Sequence, residues 1–261
     1  MSTRAWYHTL EFPDGTVTPG YYDTRQAPPH VPWPGSLNGL RCLDVGTFDG
    51  FWAFEMERRG AGEVVALDVD DPHALDWPYD FRRSGPAEIE KWQSQRGPGF
   101  EEAARAMDSN ATRLVCNVYE LDPNKHGTFD VVLCGALLLH LRDPVRALER
   151  MREVCRGSLL LVEALDPMLE ILAPRIPAAR LVPHIDQWWR VNSRGLKEIA
   201  QKSGFRIEAV SRKFLVPFGE GGSYVKVPKA HAIAALKPLG RGALHLALRA
   251  VPRPPNDAEP S

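Results

Sequence analysis

The segment LDVGTFDGFWAFE (43–55) sets Asp44, Gly46, Asp49 and Gly50 between an apolar run and an amphipathic one. Glycine at such a junction lets backbone approach a ligand closely, and the helix start beyond it presents unpaired N–H groups. Two carboxylates in the loop would repel a pyrophosphate, and the G-x-G-x-x-G spacing of dinucleotide sites is absent, so the loop suits a cationic ligand. One unit later VVALD ends at Asp68, followed by Val69; an acid there accepts both hydroxyls of a ribose. A third run ends in Cys116-Asn117-Val118, where Asn117 is placed to meet an adenine edge while its apolar neighbours cover the base. Together these residues describe a site for an adenosine that carries a positive group.

Further along, GALLLHLRDP (135–144) carries Gly135 and His140. An imidazole there suits a general base near neutral pH, while His-x-x-Asp-Pro reads equally well as a capped helix start. His8 is the second candidate imidazole. Glu163 and Asp166, with His184 and Asp186 beyond them, could hold a divalent metal such as magnesium that lowers a hydroxyl's pKa, or could be ordinary solvated or hydrogen-bonded carboxylates. The aromatics Tyr7, Tyr22 and Trp33 either close over the cofactor or acceptor or simply pack. Trp188 and Trp189 are adjacent, so on a strand they cannot both face the core, and at least one is expected to join His184 in lining a cleft for the acceptor.

The elements that must position these groups follow from the pattern. From Arg41, short β-branched or apolar runs alternate with helical stretches, which implies βαβ units and a parallel sheet covered on both faces. The reading is an N-terminal arm or lid at 1–39, one domain at 40–251, and a disordered tail at 252–261. Within the domain lie insertions at 72–107, with a helix near 99–107, and at 167–192, and a cap excursion at 213–242. A helix is expected at about 193–203, with strands at 206–212 and 245–251, the last antiparallel. The 261 residues are 44% hydrophobic and 25% charged, which excludes a disordered or disulfide-scaffold class. The net charge of -1 conceals two halves: 17 Lys+Arg against 27 Asp+Glu in 1–174, or -10, and 15 against 6 in 175–261, or +9. The 4 cysteines show no paired spacing and read as buried thiols of a reducing cytoplasm. No signal-like N-terminus or span of about 20 apolar residues is present, so a cytoplasmic protein with no membrane contact is expected.

S-adenosylmethionine fits the cationic adenosine site, and the ordered set DVGTFDG, terminal Asp68, Asn117 and GALLLHLRDP resembles the class I S-adenosylmethionine-dependent methyltransferases over roughly residues 40–211. That resemblance implies an α/β, Rossmann-like fold with a mostly parallel twisted sheet. The arm WYHTLEFPDGTVTPGYYD (6–23), VPW (31–33) and WWRVNSRGLKEIAQKSGF (188–205) are similar to the family of the tRNA wobble-uridine (carboxy)methyltransferases. In its carboxymethyl-transferring members a Tyr precedes the loop histidine; Leu137, Leu138 and Leu139 stand there here, which favours plain S-adenosylmethionine. The resemblance implies methyl transfer to a hydroxyl of a small polyhydroxylated or oligosaccharide acceptor, a mannoside among the candidates, or alternatively to tRNA, with the basic half contacting phosphates. That half could equally lie against the acidic one, within a monomer or across a homodimer. A third reading is a regulator that binds S-adenosylmethionine without turning it over.

Overall fold

The computed structural model describes residues 5–79, 82, 97–182, 187–222 and 241–254. The expected alternation is present: strands β3 (Arg41–Val45), β4 (Glu63–Asp68), β5 (Thr112–Val115), β6 (Phe129–Gly135) and β7 (Cys155–Ala164) run parallel. The first, second, fourth and fifth are almost wholly buried in the apolar middle of the sheet, as parallel strands covered on both faces must be. With β10 (Phe205–Val210) and β12 (Gly242–Pro252) the order is β10-β12-β7-β6-β3-β4-β5. The last strand is antiparallel, as expected, and lies inside the sheet between β7 and β10. Four-residue β11 (Phe214–Pro217) also pairs with β12, so the first residues of the expected cap belong to the sheet. Residues 223–240 of that cap and 255–261 of the tail lie outside the described residues.

Helix α1 (Phe51–Arg58) starts from Gly50 in the left-handed region (φ 95), where an added Cβ would sit 2.4 Å from the Phe54 ring. Helix α2 (Gly97–Met107) covers the helix expected near 99–107, and α3 (Pro123–His126) is a single turn. In α4 (Pro144–Val154), Pro144 occupies the first turn and the Asp143 side chain accepts from Arg146 N at 3.0 Å, the capped start read from the sequence. Short α5 (Pro167–Leu172) precedes a hairpin of β8 (Ala179–Leu181) and β9 (Trp189–Val191). Asn192 caps α6 (Ser193–Lys202), accepting from Gly195 N at 2.7 Å, and Gly204 (φ 85) ends it.

The arm supplies β1 (Trp6–His8) and β2 (Gly20–Tyr22), which pair in parallel. Cys42, Cys134 and Cys155 are buried, but Cys116, just past β5, is half-buried; its position at a strand end, not within a strand, accounts for the difference. Among the described residues no helix is long and apolar enough to cross a membrane.

Candidate active site

The carboxyl ends of β3 to β7 open into one cavity of about 950 Å³, walled by the arm and by the β8–β9 hairpin. Ligands bind at this edge of open α/β sheets, and the volume lies near the top of the range for drug-sized ligands, about 300–1,000 Å³. Two non-glycine residues in the wall hold left-handed backbone, Phe48 (φ 51) after β3 and Ala136 (φ 50) after β6. Such conformations cost about 1–3 kcal/mol and gather where a site dictates the backbone.

Asp68 is 4% exposed at the end of β4 and lines the cavity. Its Oδ2 accepts from Phe48 N and its Oδ1 from Val69 N, both at 2.8 Å, which fixes the plane of the carboxylate. Gly46, Val69, Val118 and Gly135 line the same cavity. Gly46 (φ 78) faces Leu137, 3.1 Å from where a Cβ would stand, and a Cβ on Gly135 would come within 2.4 Å of Trp52 Nε1. Asp44 lies behind this wall, 1% exposed, with no hydrogen-bond partner for either oxygen among the described residues. Burial pushes its carboxyl up to about 7, against smaller opposing effects of Thr47 and His8.

Several sequence readings are corrected. Asp49 does not face the cavity; its Oδ2 accepts from Tyr7 N (2.9 Å) and His8 N (2.8 Å), and its Oδ1 meets the His8 ring Nδ1–H. A cofactor-loop carboxylate thus docks the arm. Asn117 does line the cavity, but its side chain is engaged within the protein, with Oδ1 accepting from Tyr119 N (3.1 Å) and Nδ2 donating to Ala74 O (3.1 Å). Trp33 is outside the cavity: its Nε1–H goes to Pro28 O, and Arg59 stacks on its ring at 4.3 Å. Neither Trp188 nor Trp189 lines the cavity; both are half-buried, with indole N–H groups on the Asp76 and Arg142 carbonyls.

The two described carboxylates of the metal reading are engaged within the protein. Asp166 Oδ1 caps α5 through Met168 N (2.8 Å) and Leu169 N (3.2 Å), and Oδ2 pairs with Arg180. Glu163 is 2% exposed and its Oε1 accepts from Leu137 N (3.0 Å) and Leu138 N (3.1 Å), so it holds the loop that carries His140. Burial pushes Glu163 up to about 7, opposed by those two N–H groups. Among the described residues no group of three His, Cys, Asp or Glu could hold a metal. His184 and Asp186 lie outside the described residues.

His8, His140, Tyr7 and Tyr22 do line the cavity. So do Arg180, Gln187, Arg190 and His245, which the sequence reading missed. The hairpin carrying the first three is built of three-residue strands, too short for a period-2 signal, and His245 sits inside an apolar strand where it reads as packing.

In solved structures, the chain is similar to a Burkholderia thailandensis 1,6-didemethyltoxoflavin-N1-methyltransferase crystallised with 1,6-didemethyltoxoflavin and S-adenosylhomocysteine: TM-score 0.52, 15% identity, 83% of this chain and 72% of that one. It is also similar to a chain in the complex of the Haloferax volcanii Trm112 methyltransferase activator with a methyltransferase: TM-score 0.52, 15% identity, 88% of each chain. At these identities the likeness shows the fold. No curated protein matches. Residues 25–210 match the family model described as a methyltransferase domain. With that match over more than half its length, on a sheet of the same architecture, the chain belongs to the methyltransferase-domain family and is a methyltransferase.

Proposed function

We propose that this enzyme transfers a methyl group from S-adenosylmethionine to a hydroxyl of a small polyhydroxylated acceptor held in the same cavity. When bound, S-adenosylmethionine supplies a methyl carbon already activated by its sulfonium. Three features of the chain fit it. Asp44 is an orphaned buried carboxylate behind the glycine loop, Asp68 offers a fixed carboxylate at the wall, and left-handed Gly46 keeps that wall free of a side chain. Val69 and Val118 add apolar cover for a base.

An alcohol needs its proton removed as it attacks. His8 takes that role in our reading. Asp49 holds Nδ1, which leaves Nε2 as the acceptor of an imidazole that lines the cavity, the orienting logic of an Asp–His pair. That pair, in a wall shared with Asp68, is the observation that carries the proposal. His140 and His245 are the other imidazoles that line the cavity, and His140 bounds the acceptor space in this proposal. Because cofactor and acceptor must share about 950 Å³, an acceptor the size of one sugar ring, a mannoside among the candidates, fits better than an oligosaccharide chain or a tRNA. Tyr7 and Tyr22, packed edge to face on each other, line the same cavity.

Incubation with methyl-labelled S-adenosylmethionine and either a pool of monosaccharides and methyl mannosides or total tRNA tests this. Label in the small-molecule fraction is expected. Label in tRNA alone would overturn the acceptor class.

A further inference from the structure

Two arginines face the cavity from the β8–β9 hairpin, and they differ in what surrounds them. Arg180 is neutralised by Asp166, which is buried and also caps α5. Arg190 makes no ion pair within 4 Å among the described residues, although its charge acts on the buried Glu163 carboxyl and helps hold it down against the larger effect of burial, and its Nε–H donates to the neutral Gln187 Oε1 at 3.0 Å. Gln187 therefore orients the guanidinium without cancelling its charge. The cavity carboxylates Asp68 and Asp76 accept hydrogen bonds elsewhere: Asp68 from Phe48 N and Val69 N, and Asp76 from Tyr119 Oη (2.6 Å) and Arg142 N (2.8 Å).

Nearby, His245 on β12 donates Nδ1–H to Ala243 O (2.9 Å) and is buried. Burial, with a smaller contribution from the Arg190 charge, pulls it down to about 4, so it stays neutral and adds no compensating charge. Around these groups the wall is apolar, formed by Leu139, Leu165, Val182 and Leu244. A half-buried guanidinium lining such a space, with its terminal N–H groups making no hydrogen bond among the described residues, is a recognition device for a planar or tetrahedral oxyanion, which such a group can grip through two parallel N–H donors.

We infer that Arg190, oriented by Gln187, binds an oxyanion of the acceptor, so that the substrate is a small polyol carrying one carboxylate or phosphate. This rests on the proposed sharing of the cavity by cofactor and acceptor. It adds that the acceptor is anionic, and that Arg190 sets which hydroxyl reaches the base by pinning the opposite end of the molecule.

The test is calorimetric titration of the protein saturated with S-adenosylhomocysteine, using glucuronate against glucuronamide and mannose 6-phosphate against mannose. At least one oxyanion should bind about tenfold more tightly than its neutral counterpart, about 1.4 kcal/mol. The pair that responds tells carboxylate from phosphate. Arg190→Gln should erase the difference, Arg190→Lys should keep part of it, and both variants should hold S-adenosylhomocysteine as the parent does, which also reports intact folding. Equal binding within both pairs, a preference that survives Arg190→Gln, or no binding by any of the four would overturn the inference. Failure of S-adenosylhomocysteine itself to bind would instead remove the proposed cofactor reading.

Discussion

Asp44 and Asp68 do different work although both are strand-end carboxylates one strand apart. Asp68 is satisfied by backbone N–H groups at the cavity wall, whereas Asp44 is buried with neither oxygen hydrogen-bonded among the described residues. A carboxyl raised from 3.8 to about 7 keeps its proton in the folded chain while the unfolded chain has already released it. Asp44 therefore weakens folding progressively as pH rises from its unfolded value toward about 7, and the penalty is constant above that. A bound cation reverses the preference by favouring the ionised form. Affinity for S-adenosylmethionine should thus rise between about pH 6 and about pH 8. Calorimetry should show that rise in the parent and a flat profile in Asp44→Asn; equal slopes would remove the role. At the base, His8→Asn should lower kcat by about 10²–10⁴-fold with affinity for S-adenosylhomocysteine unchanged, and His140→Ala should cost far less. The reverse ranking in single-turnover kinetics would hand the base role to His140. Strand-end residues such as Gly46 and Asp68 were legible because a buried strand followed by a glycine loop announces both its direction and its end. Asp49 and Trp33 lie away from the cavity, and Asn117 lines it with its side chain engaged, for one reason: sequence shows what a side chain can bond but not which partner folding brings, and here an arm, a nearby carbonyl and a 3₁₀ turn arrived first.

The arm is an element held by one residue of another. Asp49, 1% exposed, accepts two backbone N–H groups of β1 and the His8 ring, and Tyr7 then packs on Phe48 with ring centroids 5.0 Å apart. Docking of the arm and shaping of the cofactor loop are one event, since Phe48 N is also the donor to Asp68. Leaving two backbone N–H groups unpaired costs about 1–3 kcal/mol each, so Asp49→Ala should release β1. Limited proteolysis should cut the variant within residues 5–24 under conditions that spare the parent, and KM for the acceptor should rise. An arm equally resistant in Asp49→Ala would show that Trp6 and the β1–β2 pairing suffice to hold it. Legibility at this scale followed length and burial. The buried parallel strands β3, β4, β6 and β7 carry apolar runs that mark them, whereas β11 is four residues ending in Pro217, and β8 and β9 are three residues each, exposed or half-buried, with no pattern to separate them from loop.

Across the whole molecule, the contrast between -10 and +9 has a partial structural answer. Arg180 with Asp166 and Lys213 with Glu170 join the basic segment to the acidic one, while Arg206 and Arg249 gather on Glu208 and Lys202 on Glu198 within the basic segment itself. Positive charge so engaged is poorly placed to track a phosphate backbone, and a pair exposed on both sides, such as Lys202 with Glu198, contributes only about 0–1 kcal/mol, so it acts by occupying charge more than by stabilising the fold. The two acceptor classes then separate by their response to salt. An enzyme gripping a tRNA through 6–10 phosphates loses about 10³–10⁵ in affinity between about 50 and 200 mM salt, because each neutralised phosphate releases counterions. A small acceptor held by one guanidinium inside a cavity has a single, partly shielded contact to screen. The kcat/KM of this methyltransferase should therefore fall less than about tenfold over that range, and the residual salt dependence should disappear in Arg190→Gln. A steep decline that Arg190→Gln leaves untouched would place the acceptor on the basic surface and favour tRNA over a small acceptor.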